Sequence, residues 1–388
     1  MTTSPEQQPL TAPPAEWTFM LYTGTIDNDF SFSQHELLTL LGDIEASPRV
    51  HFVYELSKPK RTERGRVRFS KEKEDEKEKK KASPQIEVLA EGPRINTSSP
   101  KRIAAFIDWA TRTFPSRYTA LVFKDHGGPN DPPRRVEPLV EKNQTERKWL
   151  VPTPALKIIP LEILDDGATD DYLSDRGLRT TLEKTRLGHV DLYAFDACSM
   201  SLTEIAYEIR NVASYSVATE ESLLQRGFPY REAVEVMSSS EHLGPRTLAK
   251  VLATKKPELN LMAVDSSWMH ALASKIDVLG ARLNELLPAR QDLVEQIRSG
   301  AVGAGPNRDL ESLLTTIKAK APDLAPTADD ALETLKRVCF DGDPPAPGTG
   351  GLGIYFPPKS GSPYLVTYGA LEFARGNRWA SFIANWCS

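Results

Sequence analysis

Cysteine is scarce in this chain of 388 residues: Cys198, Cys339 and Cys387 are the three, an odd number at wide spacing. That excludes a disulfide framework, offers no zinc-site spacing, and suits a reducing compartment. Histidine is nearly as sparse, with six in all, and none stands in an HExxH arrangement. An excess of either charge is lacking too. Forty-eight basic residues stand against 53 acidic ones, a net charge of −5, so neither nucleic acid nor a membrane surface is expected as a partner. No apolar run approaches the roughly 18 residues of a membrane span. The opening MTTSPEQQPLTAPPAEW has no basic segment followed by an apolar one, as a secretory leader would. A cytoplasmic location is therefore the expectation. What is present is ordinary globular composition, 40% hydrophobic and 26% charged, with length enough for a large core.

Residues 1–16 read as a disordered Pro/Ser/Gln tail, and 17–388 as one α/β domain. WTFMLYTG (17–24) predicts a buried first strand stopped by Gly24. SQHELLTLLGDI (33–44) predicts a helix, with Ser33 as cap and Glu36 three residues on in a capping-box pattern. RVHFVYEL (49–56) is the next strand, and 99–114 a helix with Ile103, Phe106, Ile107 and Ala110 on one stripe. YTALVFKDHGG (118–128) and DLYAFDACSM (191–200) are further apolar strands, each running into polar residues. A helix over 201–211 and a strand over 215–222 follow. Alternating strands and helices predict a mostly parallel, doubly wound sheet, whose ligands bind beyond the carboxyl ends of its strands. Two insertions interrupt the order. The charged stretch 57–85 is read as an insertion between core elements, its KEKEDEKEKKK run (71–81) a solvated helix or a disordered loop, and 129–160 is a basic, Pro-rich loop. Residues 243–340 read as a helical elaboration, and the closing GLGIYFPP as a strand completing the same sheet.

Chemistry gathers at two strand ends, Asp125-His126-Gly127-Gly128 and Asp196-Ala197-Cys198. If those strands are neighbours, His126 and Cys198 meet at the carboxyl edge of the sheet. A thiol needs help to ionise near neutral pH, and an imidazole beside it supplies that help. Gly127, lacking a side chain, lets a backbone N–H approach a developing oxyanion. Taken singly, each motif has a plainer reading: His126 in a glycine turn, Asp196 opening a turn, Cys198 as a small core residue.

Taken in order, WTFMLYTGTIDNDF, LVFKDHGG, DLYAFDACSM with TEIAYEIRN, YSVATEESLLQRGFPY, MAVDSS and the closing GIYFP segment resemble the clostripain family (C11) of cysteine peptidases, within the caspase-like group. The resemblance implies a caspase-like α/β/α sandwich with a mostly parallel central sheet. It implies a cysteine endopeptidase with His126 and Cys198 as a catalytic dyad, and the N–H groups of Gly127 and Cys198 as the oxyanion hole. Asp196 would lie at the floor of the pocket for the residue before the scissile bond and select Arg or Lys there; Glu220 and Glu221 are candidates for a second acidic lining residue. Members are commonly cut at basic residues in loops, so Arg134, Arg135, Lys142, Arg147 and Lys148 are candidate processing sites. No cofactor is required, although Asp165 and Asp166 could hold calcium. The expected partner is a protein or peptide with Arg or Lys before the scissile bond, with an activating ligand or protein as a further expectation. The alternative is a caspase-like binding or signalling module with little turnover, or a dormant protease needing an effector.

Overall fold

The computed structural model describes residues 15–24, 32–44, 48–58, 60–70, 83–125, 162–166, 171–223, 227–303, 305–340, 351–359 and 368–388. Strand β1 (Ala15–Thr23) lies at the centre of the sheet, with β2 (Val50–Ser57) on one side and β5 (Ser116–Lys124) on the other, both parallel to it. Beyond β5 come β8 (Val190–Asp196) and β9 (Ala213–Thr219), again parallel. These five strands are the predicted doubly wound core. Along β1 the side chains alternate between two buried clusters, Trp17, Phe19 and Leu21 in one and Met20 and Tyr22 in the other. A parallel sheet covered on both faces requires this pattern.

Helices α1 (Gln34–Leu41), α5 (Tyr230–Ser239) and α6 (Pro245–Thr254) contribute to the first cluster, and α2 (Pro100–Thr113), α3 (Asp175–Glu183) and α4 (Thr203–Ile209) to the second. The capping box of α1 forms as the sequence predicts: Glu36 N–H donates to Ser33 Oγ, and Ser33 N–H to Glu36 Oε2. All four residues of the predicted α2 stripe are buried. A third apolar cluster is built largely from α7 (Met269–Leu286), α8 (Gln291–Gly300), α9 (Leu310–Lys320), α10 (Ala325–Val338) and α11 (Arg378–Cys387). Among the described residues no helix is long and apolar enough to cross a membrane.

Three sequence expectations are corrected. The 57–85 stretch is in part not an insertion between core elements: β3 (Arg61–Ser70) pairs antiparallel with β2 and β4 (Ser83–Pro93) antiparallel with β3, extending the sheet, while the KEKEDEKEKKK run (71–81) lies outside the described residues. Their charges pair across strands, Arg66 and Arg68 with Glu87, and Arg64 with Glu55 on β2. The Arg64 guanidinium also stacks 4.9 Å from the Trp109 ring of α2. Second, the 243–340 region is not wholly helical, because β10 (Leu261–Asp265) and β12 (Cys339–Phe340) carry the sheet past β9 as antiparallel strands. Nine strands result, in the order β12-β10-β9-β8-β5-β1-β2-β3-β4. Third, the closing strand β13 (Gly353–Tyr355) pairs with β11 (Asn307–Asp309) in a separate two-stranded sheet.

The register of β3 against β4 shifts between Arg64 and Gly65. A Cβ at Gly65 would stand 2.3 Å from the Glu87 carbonyl oxygen and 2.5 Å from Tyr54 Oη. Gly65→Ala is therefore expected to lower stability by about 1–3 kcal/mol, read as a fall in the urea midpoint at unchanged slope.

Candidate active site

Parallel pairing sets Lys124, the last residue of β5, opposite Asp196, the last residue of β8. The two side chains meet: Lys124 Nζ donates to Asp196 Oδ2 at 2.8 Å. Tyr230, the first residue of α5, donates its phenol hydroxyl to the same oxygen at 2.7 Å. Both charged side chains are withdrawn from water, the lysine 18% exposed and the aspartate 4%. The Lys124 ammonium also lies 4.9 Å from the Phe32 ring centroid. Burial and the adjacent Asp196 charge push the Tyr230 phenol well above its ordinary value, so it stays a donor. Backbone contacts tie the strand ends together. Asp125 N–H donates to the Asp196 carbonyl at 3.3 Å, and Gly24 N–H to the Lys124 carbonyl at 3.1 Å. At Gly24 a Cβ would lie 1.6 Å from Asp125 Oδ2, so only glycine leaves that carboxylate its place.

Two residues past Asp196, Cys198 is half-buried with a free thiol. Its Sγ accepts the Leu223 N–H at 3.2 Å. Its own N–H makes no hydrogen bond among the described residues. The turn carrying it is clamped. Ser199 takes a left-handed φ of 53° and donates its N–H to the Glu221 carbonyl at 2.9 Å. Ser201 N–H reaches the Thr219 carbonyl, and the Gly353 N–H reaches the Ser201 carbonyl, each at 2.9 Å. Ser201 Oγ and Thr203 Oγ1 donate to the carbonyls of Gly351 and Gly353.

The two candidate lining acids diverge. The Glu220 carboxyl hydrogen-bonds Asp309, and desolvation together with the Asp309 and Glu221 charges pushes it well above the ordinary range. Glu221 is exposed, and its Oε2 accepts from Asn260 Nδ2 at 2.7 Å. Of the three acids assigned to the pocket, Asp196 alone takes a cation among the described residues.

His126, Gly127 and the candidate processing sites Arg134, Arg135, Lys142, Arg147 and Lys148 lie outside the described residues. Asp165 and Asp166 fall on β6 (Glu162–Asp166), which pairs with β7 (Asp171–Ser174). Among the described residues no group of three or more metal-ligating side chains forms. The other histidines have separate surroundings: His51 packs on the Phe114 ring, His189 approaches Ser214, and His270 accepts from Arg210. Burial raises the Cys339 thiol well above its ordinary value, as suits a packing thiol. Sequence reasoning missed Lys124 and Tyr230. A lysine inside the apolar run LVFK was the available signal, since a charge there needs a partner.

The same architecture is found in solved structures. An inactive zymogen of a C11 protease from Parabacteroides distasonis aligns with a TM-score of 0.65 at 16% identity, over 94% of this chain and 99% of the other. A secreted C11 cysteine protease from Bacteroides thetaiotaomicron, in complex with an irreversible peptide inhibitor, aligns with a TM-score of 0.63 at 16% identity, over 95% and 99%. No curated protein matches the sequence. The model of the clostripain family matches residues 157–312, a span that holds β8, Cys198 and the clamped turn after it. Fold and family match together define a cysteine peptidase. Over that span the chain is similar to the clostripain family.

Glu220 gives a pH test. Its folded pKa lies above the ordinary 4.5, so the folded state holds a proton that the unfolded state releases above that value. Stability from this group is complete below 4.5 and declines as pH rises toward the folded value. Glu220→Gln keeps the donor without the titration. Its stability relative to wild type is expected to increase steadily with pH above 4.5, measured by urea unfolding across the pH range.

Proposed function

We propose that this peptidase is an endopeptidase that cleaves after Arg or Lys through a Cys198–His126 dyad. What carries the reading is the in-register pairing of β5 with β8, Lys124 opposite Asp196. His126 and Cys198 each follow their strand by two residues. The imidazole takes the thiol proton, and Sγ attacks the scissile carbonyl carbon. The N–H groups of Gly127 and Cys198 hold the resulting oxyanion. The uncommitted Cys198 N–H supports that role, and the Leu223 N–H holds Sγ in position. Collapse of the intermediate expels the amine, which takes its proton from the imidazolium, leaving a thioester. Water, deprotonated by the imidazole, then releases the acid and restores the thiol. Asp196 meets the guanidinium or ammonium of the residue before the bond, a charge-assisted contact.

The protein acts in the cytoplasm and is made as a precursor. Self-cleavage at Arg134, Arg135, Lys142, Arg147 or Lys148 releases the site, and a ligand or partner protein adds a further gate. The capture of one structural neighbour as an inactive zymogen supports this part of the reading. Calcium at Asp165 and Asp166 is an optional addition.

Matched fluorogenic peptides differing only in the residue before the bond (Arg, Lys, Asp or Leu) test the proposal, with and without calcium. Cys198→Ala and His126→Ala are each expected to lower kcat/KM by roughly a hundredfold to ten-thousandfold, and Asp196→Asn to erase the preference for Arg and Lys. Cys198→Ala is also expected to stay uncut during purification. Cleavage that survives Cys198→Ala would overturn the dyad, and cleavage after Asp would overturn the pocket assignment. Absence of any turnover would favour the binding-module alternative.

A further inference from the structure

Asp196 already holds a cation. Its Oδ2 accepts Lys124 Nζ at 2.8 Å and the Tyr230 hydroxyl at 2.7 Å, and its Oδ1 takes no hydrogen bond among the described residues. The lysine is fixed rather than loosely posed. It ends a buried strand in register with Asp196, its ammonium faces the Phe32 ring, and its side chain is 18% exposed. The charges of Lys124 and Asp196 cancel. An incoming guanidinium therefore finds one carboxylate oxygen in place of two, which removes the two-pronged contact that makes arginine recognition strong and selective. To regain it, the substrate would have to push an ammonium off the carboxylate that holds it and leave it poorly solvated.

We propose that Lys124 is a specificity-determining residue, a resident cation that competes with the substrate's basic side chain for Asp196 and so weakens selection for Arg and Lys. The proposal rests on the reading of Asp196 as the floor of the pocket. Selection by this site is then a balance between two cations, one supplied by β5 and one by the substrate. Tyr230, a neutral donor on the same oxygen, keeps Asp196 hydrogen-bonded whichever cation is present.

The test compares wild type with Lys124→Met, Lys124→Arg and Asp196→Asn on paired peptides carrying Arg or Gln before the scissile bond. The readout is the ratio of their kcat/KM values. Lys124→Met is expected to raise the Arg/Gln ratio about tenfold or more, mainly through KM, as one charge-assisted contact becomes free for the substrate. Lys124→Arg keeps the resident charge and adds a second prong, so its ratio is expected at or below that of wild type; a rise there would overturn the proposal even if Lys124→Met does not fold. A second readout is free of turnover: benzamidine binding by calorimetry to the Cys198→Ala protein, with and without Lys124→Met. Tighter binding when Lys124 is replaced is expected, and equal binding would overturn the proposal. If Asp196→Asn changes the ratio while a folded Lys124→Met does not, the resident-cation proposal fails alone. If neither changes it, the pocket reading fails with it.

Discussion

A buried ion pair closes the two strands on which the site is built. Lys124 and Asp196 are both withdrawn from water, and desolvating two charges costs several kcal/mol per ion before their attraction is counted. What makes the arrangement tenable is geometry. The pair is short, Tyr230 adds a second donor, and the Phe32 ring gives the ammonium a further favourable face. The pair also fixes register. A one-residue slip of β8 against β5 would turn Asp196 to the opposite face and strand the lysine. Removing one member leaves an uncompensated charge, a change that typically costs about 3–5 kcal/mol. The two positions are therefore constrained together, and both stand two residues before the residues assigned to chemistry.

The turn that follows β8 bears a different constraint. Ser199 occupies a left-handed conformation that a side chain makes unfavourable by roughly 1–2 kcal/mol. It persists because its neighbours over-determine it: the loop after β9 takes the Ser199 N–H, while the 351–353 segment holds Ser201 and Thr203. Strain at one residue supported by bonds on both sides holds the turn that carries Cys198 at the end of its strand. The support comes from two parts of the chain far apart in sequence, and so the position of Cys198 depends on the whole sheet being assembled.

Much of this was legible from sequence because it is local. Alternating apolar residues announced the central strands, Ser33 and Glu36 announced the start of α1, and the stripe from Ile103 to Ala110 announced the buried face of α2. The two polar strand ends were legible as well, being abrupt changes at the close of apolar runs. The β3–β4 hairpin was not. Arg66, Arg68 and Glu87 look like solvated charge in one dimension, and only cross-strand pairing turns them into a ladder, with the guanidinium groups of Arg64 and Arg66 over aromatic rings. Strand β10 was missed because four apolar residues between helices fit either state. Lys124 could be seen as anomalous, but its partner lies 72 residues away and no local rule connects them.

Glu220 shows why an acidic residue near a site need not serve it. Asp309 caps α9, its Oδ1 accepting the Ser312 N–H at 2.7 Å and its Oδ2 the Gly351 N–H at 3.2 Å. That role needs the ionised, acceptor-only form. Two buried carboxyls in contact cannot both be ionised without large repulsion, so the proton resides on Glu220, which donates to its neighbour. Glu220 is thereby neutral and committed to holding the turn between β9 and the nucleophile loop. Glu221 is exposed and accepts from Asn260. Asp196 is a desolvated negative charge at the end of β8, and Lys124 cancels it. A carboxylate selects cations strongly when it is desolvated and unpaired; here it is desolvated and paired.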